Sequence, residues 1–167
     1  MSELAGLLAN IRLLSLDLDG VLTDGGLYYT EGGDVMRKYD VKDGMGIELL
    51  MQAGVPVSVI TASETPAIAT RLAKLKIPHV RMGIKHKLPE LQAICASLGI
   101  GLDQVMHVAD DVNDLPVLRA VGLPVAVADA LPVVRGVARH ITERPGGRGA
   151  VRELCDLLIA TRQQVSR

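Results

Sequence analysis

Short apolar runs alternate along the chain with stretches in which apolar residues recur every three or four positions. Continuous apolar runs occur at 13–16, 57–60, 105–108 and 125–127, and a weaker one surrounds Val80. Most of these runs are too apolar to have a solvent-facing side, which is typical of strands in a parallel sheet covered on both faces. The alternation predicts an α/β fold built on a doubly wound parallel sheet.

The stretches between these runs have the period of amphipathic helices. Thr65-Pro66 is a typical helix start, and Gly54 and Gly99 stand where helices should end. No repeat, low-complexity tract or linker interrupts the pattern, so residues 1–167 are expected to form one domain. Three apolar faces are predicted: Leu88, Leu91, Cys95 and Leu98; Ile68, Leu72 and Leu75; and Val151, Leu154 and Leu158.

One segment departs from this alternation. Residues 27–39 read as a β-hairpin with a glycine-containing turn, directly after the first strand, where a crossover helix would be expected. All three tyrosines of the chain lie in it. An ordinary surface hairpin is one interpretation. The enrichment of tyrosine at interfaces favours a contact with the active-site mouth or with another subunit.

Composition excludes several classes of protein. The chain is 49% hydrophobic and 22% charged with a net charge of -1, so it should fold and has no general attraction for nucleic acid or anionic membranes. It shows no signal-peptide pattern and no apolar run of the ~20 residues that span a bilayer, which predicts a cytoplasmic protein. Cys95 and Cys155 belong to no CxxC pair and are expected to be buried, unreactive thiols.

Acidic residues crowd at the ends of two predicted strands. In an open α/β sheet these ends meet at one edge, where ligands bind. Such crowding is electrostatically unfavourable without a cation, and oxygen ligands favour Mg²⁺. For Asp24 and Asp114 a role as loop or capping residues is an alternative. The six residues are Asp17, Asp19, Asp24, Asp110, Asp111 and Asp114.

A hydroxyl and an ammonium group complete the candidate site. Thr61 follows the strand ending at Ile60, and Lys87 begins a helix, where the helix dipole disfavours a cation unless an anion is near. Taken singly, Thr61 could serve as a cap and Lys87 could be solvated. With the carboxylates they describe phosphoryl transfer to an aspartate.

Four motifs carry a resemblance to a known family. DLDGVLTD at 17–24, Thr61 after its apolar strand, Lys87, and ADDVNDLP at 109–116 resemble the motifs of the haloacid dehalogenase superfamily of phosphatases. The hairpin, VGLPVAVADA at 121–130 and GGRGAVREL at 146–154 are similar to its capless branch of 3-deoxy-D-manno-octulosonate 8-phosphate phosphatases. The resemblance spans about 11–158 and implies a haloacid dehalogenase-type fold with no large cap domain.

The resemblance also implies roles for the acidic residues. Asp17 would attack phosphorus and form an aspartyl-phosphate, and Asp19 would serve as general acid and then as general base. Mg²⁺ would be held by Asp17, the backbone carbonyl of Asp19, and Asp110. Asp111 would orient Lys87 or a metal-bound water, with Asp114 in support.

Phosphate oxygens would be bound by Thr61 and Lys87. Members of the branch are typically homotetramers whose hairpins, here 27–39, pack together and roof the sites, and the implied partner is a phosphorylated sugar acid.

The chain departs from this branch at one informative position. Where Thr-Gly-Arg is usual, it reads Thr61-Ala62-Ser63, so a cation suited to a substrate carboxylate is missing. Arg71 and Arg148 are possible replacements. The implied substrate is 3-deoxy-D-manno-octulosonate 8-phosphate, and the 9-phosphate of a sialic-type nine-carbon acid is an alternative. A non-catalytic phospho-accepting module is a third reading, which Asp19 argues against because such modules lack that carboxyl.

Overall fold

A six-stranded parallel sheet organises the structure, a computed structural model that describes residues 3–165. The strands of the structure are β1 (Leu13–Leu16), β2 (Tyr28–Tyr29), β3 (Val35–Met36), β4 (Val57–Ile60), β5 (His79–Arg81), β6 (Val105–Ala109), β7 (Leu123–Ala126) and β8 (His140–Ile141). Strands β2 and β3 form a separate two-stranded hairpin. The other six lie in the order β5-β4-β1-β6-β7-β8, so the chain winds outward from β1 in one direction and then in the other. This is the predicted doubly wound fold.

Helices cover both faces of the sheet. They are α1 (Glu3–Asn10), α2 (Val41–Gln52), α3 (Pro66–Lys74), α4 (Lys87–Leu98), α5 (Leu115–Leu118), α6 (Pro132–Val137) and α7 (Ala150–Val165), with 3₁₀ turns at Leu102–Gln104 and Val112–Asp114. The sequence pattern did not predict α1, α6 or β8. In the part of the chain from 3 to 165, no helix has the length and apolarity to cross a membrane.

The strand predicted at 125–127 is shifted in the structure. It begins at Leu123, which pairs with Met106 of β6, and it includes Pro124. Proline argues against an interior strand because it cannot donate a hydrogen bond to the ladder. Pairing with β6 overrides that local preference.

Two aliphatic clusters form the core, one on each face of the sheet. The first packs α2 and α7 against one face, and the second packs α4 and α5 against the other. Cys95 and Cys155 are both buried and unpaired, as predicted. Burial raises the pKa of both thiols, which keeps them protonated and unreactive.

The hairpin forms as predicted, with Tyr28 opposite Met36 in an antiparallel pair. The side chains of Tyr28 and Met36 are exposed, and Tyr29 is 68% exposed. Tyr39 behaves differently, because it is half-buried and its ring lies 5.6 Å from the guanidinium carbon of Arg71. A contact between the hairpin and another subunit stays a prediction.

Candidate active site

The candidate active site is a cleft at the carboxyl ends of β1, β4 and β6, where the winding of the sheet changes direction. This switch point is the usual ligand position in such folds. The cleft has a volume of about 340 Å³. Its lining residues are Asp17, Asp19, Gly25, Thr61, Ala62, Ser63, Asp110, Asp111 and Asn113.

Asp17 lies at the bottom of this cleft and is almost completely buried. Its Oδ1 accepts hydrogen bonds from the backbone N–H of Leu18 and from Nζ of Lys87, both at 2.7 Å. No donor within residues 3–165 bonds its Oδ2. Burial, helped by the charge of Asp114, raises the pKa of Asp17 to about 8 against the opposing effect of Lys87. A bound cation would reverse that effect and ionise the carboxyl.

Lys87 is buried, so the alternative of a solvated lysine is wrong. Its Nζ lies 2.7 Å from Asp17 Oδ1 and 2.7 Å from Asp114 Oδ2. Burial alone would lower the pKa of this ammonium group, but the two carboxylates outweigh burial and raise it. Lys87 is therefore a fixed positive charge beside Asp17.

Asp114, rather than Asp111, orients Lys87. Asp111 is exposed and its Oδ1 accepts the backbone N–H of Val112 at 2.6 Å, where it caps the 3₁₀ turn. Asp114 is buried, and its second oxygen contacts His107 Nε2 at 2.8 Å. The hydrogen bonds and charges of His107 and Lys87 hold its pKa low although burial, the largest single influence, acts to raise it. The expectation that Asp111 orients Lys87 is corrected accordingly.

Asp110 presents a carboxylate that lacks a partner. Its Oδ1 is buried and has no hydrogen bond within the described part of the chain. Burial, with the charges of Asp111 and Asp114, raises its pKa to about 6. Gly20 makes room for it, since a Cβ there would lie 2.0 Å from Asp110 Oδ2 and its φ of 83° favours glycine.

These features suit a small oxygen-binding cation. The residues from 3 to 165 contain no group of three acidic, histidine or cysteine side chains close enough to hold a metal. Mg²⁺ does not require three, because it is usually held by one or two carboxylates and keeps several waters. Asp17 and Asp110, on adjacent strand ends, supply two such carboxylates.

Asp19 is held by a residue that the sequence analysis missed. Arg37 Nε donates to Asp19 Oδ1 at 2.6 Å, and Ser63 Oγ donates to Asp19 Oδ2 at 2.6 Å. Arg37 Nη2 also donates to Ser63 at 3.3 Å. The guanidinium group therefore stands beside Ser63, where the resemblance led us to expect an arginine. No spacing signal links Arg37 to this site, because the hairpin brings it there.

The remaining predicted residues lie in different places. Thr61 is buried at the cleft, and its Oγ1 accepts the N–H of Ser63 at 3.1 Å, which leaves its hydroxyl hydrogen free. Arg71 lies against Tyr39 and does not line the cleft. Arg148 has an exposed side chain. Asp24 accepts the N–H of Gly26 in a turn, as its alternative role predicts.

The glycine-rich segment 146–149 is held by hydrogen bonds and by close backbone packing. Gly147 donates its N–H to the carbonyl of Val21 at 2.9 Å and accepts Lys38 Nζ at 3.1 Å. A Cβ at Gly146 would lie 1.7 Å from the carbonyl oxygen of Gly20. These glycines permit close approach of two backbones rather than motion.

Comparison with known proteins agrees with this geometry. A family model described as haloacid dehalogenase-like hydrolase matches residues 83–154. The 3-deoxy-D-manno-octulosonate 8-phosphate phosphatase KdsC of Escherichia coli is 43% identical over 150 residues, which cover 90% of this chain and 80% of that protein. The chain belongs to the haloacid dehalogenase-like hydrolases.

Solved structures of this hydrolase family extend the likeness to the fold. The 3-deoxy-D-manno-octulosonate 8-phosphate phosphatase of Yersinia pestis superposes with a TM-score of 0.95 at 38% identity, covering 99% of this chain and 89% of that one. The Moraxella catarrhalis phosphatase, solved with magnesium, phosphate and KDO, has a TM-score of 0.94 at 32% identity, covering 99% and 95%. Within the family the chain is thus a phosphoric monoester hydrolase.

Proposed function

We propose that this hydrolase releases phosphate from 3-deoxy-D-manno-octulosonate 8-phosphate with the aid of Mg²⁺. The observation that carries the proposal is the convergence of Asp17, Asp19 and Asp110 in one cleft with Lys87 bonded to Asp17. The likeness to phosphatases of that substrate supports the choice of sugar.

The metal would be held by the carboxylates of Asp17 and Asp110 and by the backbone carbonyl of Asp19. The unpartnered Oδ1 of Asp110 and the raised pKa of both carboxyls support this assignment. When bound, Mg²⁺ neutralises the carboxylates and draws charge from the phosphoryl oxygens.

In the first step Asp17 attacks phosphorus and an aspartyl-phosphate forms as the bond from phosphorus to the sugar oxygen breaks. Asp19, once it has taken up a proton, donates that proton to the sugar oxygen, and it is reprotonated in the second step. Lys87 and the free hydroxyl hydrogen of Thr61 stabilise charge on the phosphoryl oxygens. Arg37 and Ser63 hold the Asp19 carboxyl in place.

In the second step water attacks phosphorus and Asp19 accepts the proton that water loses. The bond between phosphorus and Asp17 breaks, which returns the carboxylate and frees inorganic phosphate. One carboxyl thus serves first as acid and then as base.

The substrate's carboxylate needs a cation outside the phosphate site. Arg71 and Arg148 are our candidates, and both lie outside the cleft of a single chain. We further propose a homotetramer joined through the 27–39 hairpin, supported by the exposed apolar side chains of Leu27, Tyr28, Tyr29 and Met36. Sedimentation that gives a stable monomer at micromolar concentration would contradict this assembly.

Phosphate release from a panel of sugar phosphates tests the proposed function. The 8-phosphate of the eight-carbon acid should be hydrolysed fastest, and the panel includes the 9-phosphate of a nine-carbon sialic-type acid and an aryl phosphate. Asp17→Asn should remove all activity while the protein stays folded, because an amide cannot attack phosphorus. A chelator should stop turnover until Mg²⁺ is restored, and full activity in either condition would overturn the mechanism.

A further inference from the structure

A buried chain of hydrogen bonds runs from the middle of the sheet to the nucleophile. Ser15 on β1 contacts His107 on β6 at 2.9 Å, and His107 contacts Asp114 at 2.8 Å. Asp114 in turn accepts a hydrogen bond from Nζ of Lys87, which donates another to Asp17. All five residues are buried.

A histidine is not required for packing at this buried position of β6. Ser15 and His107 are register partners on neighbouring central strands, where buried residues are usually aliphatic. A buried imidazole instead needs a partner for each ring nitrogen, and here it has both. The pair therefore points to a role beyond packing.

The contacts determine which ring nitrogen carries hydrogen. The Asp114 carboxylate can only accept, so the Nε2 of His107 must donate to it. The hydroxyl of Ser15 can bond Nδ1 as donor or as acceptor, so it holds the ring in the orientation that turns Nε2 toward Asp114. Ser15 thus favours the orientation of His107 that faces Asp114 with a donor.

The consequence for the site is geometric. Asp114 is held at both oxygens, by His107 at Oδ1 and by Lys87 at Oδ2. Loss of the donor at Oδ1 would leave a buried, unpaired oxygen and a carboxylate free to rotate. Lys87 would then lose the fixed position from which it bonds Asp17.

We propose that His107 is a positioning residue for phosphoryl transfer, acting through Asp114 to hold Lys87 against Asp17. The proposal rests on the proposed role of Asp17 as nucleophile and is independent of which sugar is the substrate.

Turnover of an aryl phosphate by the full chain with Mg²⁺ tests this role. His107→Phe should lower kcat by about 10- to 100-fold, the effect of losing one hydrogen bond to a charged group. His107→Gln should recover most of that loss, because its amide can still donate to Asp114. If His107 only filled space in the core, restoring a hydrogen-bond donor in His107→Gln would not restore kcat.

Ser15 and Ser58 form a matched pair for the second arm. Ser58 lies beside Ser15 on β4, is equally buried, and its hydroxyl has no partner among the described residues. Ser15→Ala should lower kcat by roughly 3- to 10-fold, whereas Ser58→Ala should stay within about 2-fold of wild type. Equal effects of the two changes would overturn the proposal even if His107→Phe fails to fold.

Nitrogen NMR of the imidazoles gives a readout apart from activity. The His107 signals, assigned by their loss in His107→Gln, should show hydrogen on Nε2. Two results would each overturn the positioning role of His107 while leaving the proposed function in place. One is an Nε2 that carries no hydrogen, and the other is a wild-type kcat in folded His107→Phe. Wild-type protein that hydrolyses no phosphate ester would overturn the proposed function as well.

Discussion

Removal of the Asp110 charge should stabilise the metal-free protein even though it abolishes catalysis. Burial and neighbouring carboxylates raise the pKa of Asp110 from 3.8 to about 6, and its Oδ1 lacks a partner in the described chain. Between about pH 3.8 and pH 6, Asp110 therefore keeps its proton in the folded state and loses it in the unfolded chain. Stability should fall as pH rises between these two values, and the full penalty should be present above about pH 6.

The size of this penalty follows from the shift. Each pKa unit corresponds to about 1.4 kcal/mol, and solvent screening of this part-exposed side chain roughly halves the total, which leaves about 1.5 kcal/mol. Asp110→Asn carries no charge at any pH. Its stability relative to wild type should therefore rise by about 1.5 kcal/mol between about pH 4 and pH 7.5.

Urea unfolding in chelator at several pH values measures this difference. With saturating Mg²⁺ at neutral pH, wild type should become more stable to unfolding than Asp110→Asn. The reason is that the metal binds wild type through Asp110, whereas the variant offers the metal one carboxylate fewer. A stability difference that stays constant across the pH range would refute the reasoning. Equal stabilisation of both proteins by Mg²⁺ would remove Asp110 from the metal site.

Three further outcomes test neighbouring parts of the molecule. Arg37→Met should lower kcat on an aryl phosphate by about 10- to 100-fold because Asp19 loses its charged partner; an unchanged rate would contradict this. Gly146→Ala should lower the free energy of unfolding in urea by about 1–3 kcal/mol through backbone overlap, whereas Gly136→Ala, which meets open space, should not. Arg148→Ala should reduce kcat/KM only for the sugar-acid phosphate, and equal losses on an aryl phosphate would assign Arg148 to the phosphate site or the fold.

The arrangement of strand ends explains why part of the site could be predicted from the sequence. In a parallel sheet every strand's carboxyl end lies at one edge, so Asp17, Thr61 and Asp110 had to converge once their strands were identified. Lys87 begins a helix at the same edge. The positions of these residues follow from the local hydrophobic pattern, which identifies the strands, and from the parallel topology that this pattern predicts.

The packing of distant segments decided the rest. The hairpin brings Arg37 to Asp19, and no periodicity records which side chain will point inward from such a short element. Asp111 and Asp114 are alike in sequence, but the 3₁₀ turn uses Asp111 as its cap and buries Asp114 against Lys87.

His107 shows the same limit from within a well-predicted strand. Its apolar neighbours identify β6, yet its value to the site depends on Ser15, ninety-two positions away, and on the turn that follows the strand. The amino-acid pattern was enough to predict the fold class, the acidic strand ends and the family motifs, because these arise from local patterns along the chain. Which charged side chain meets which depended on the folded structure, because a hydrogen bond tolerates only a few tenths of an ångström in the distance between donor and acceptor, here on residues far apart in the chain.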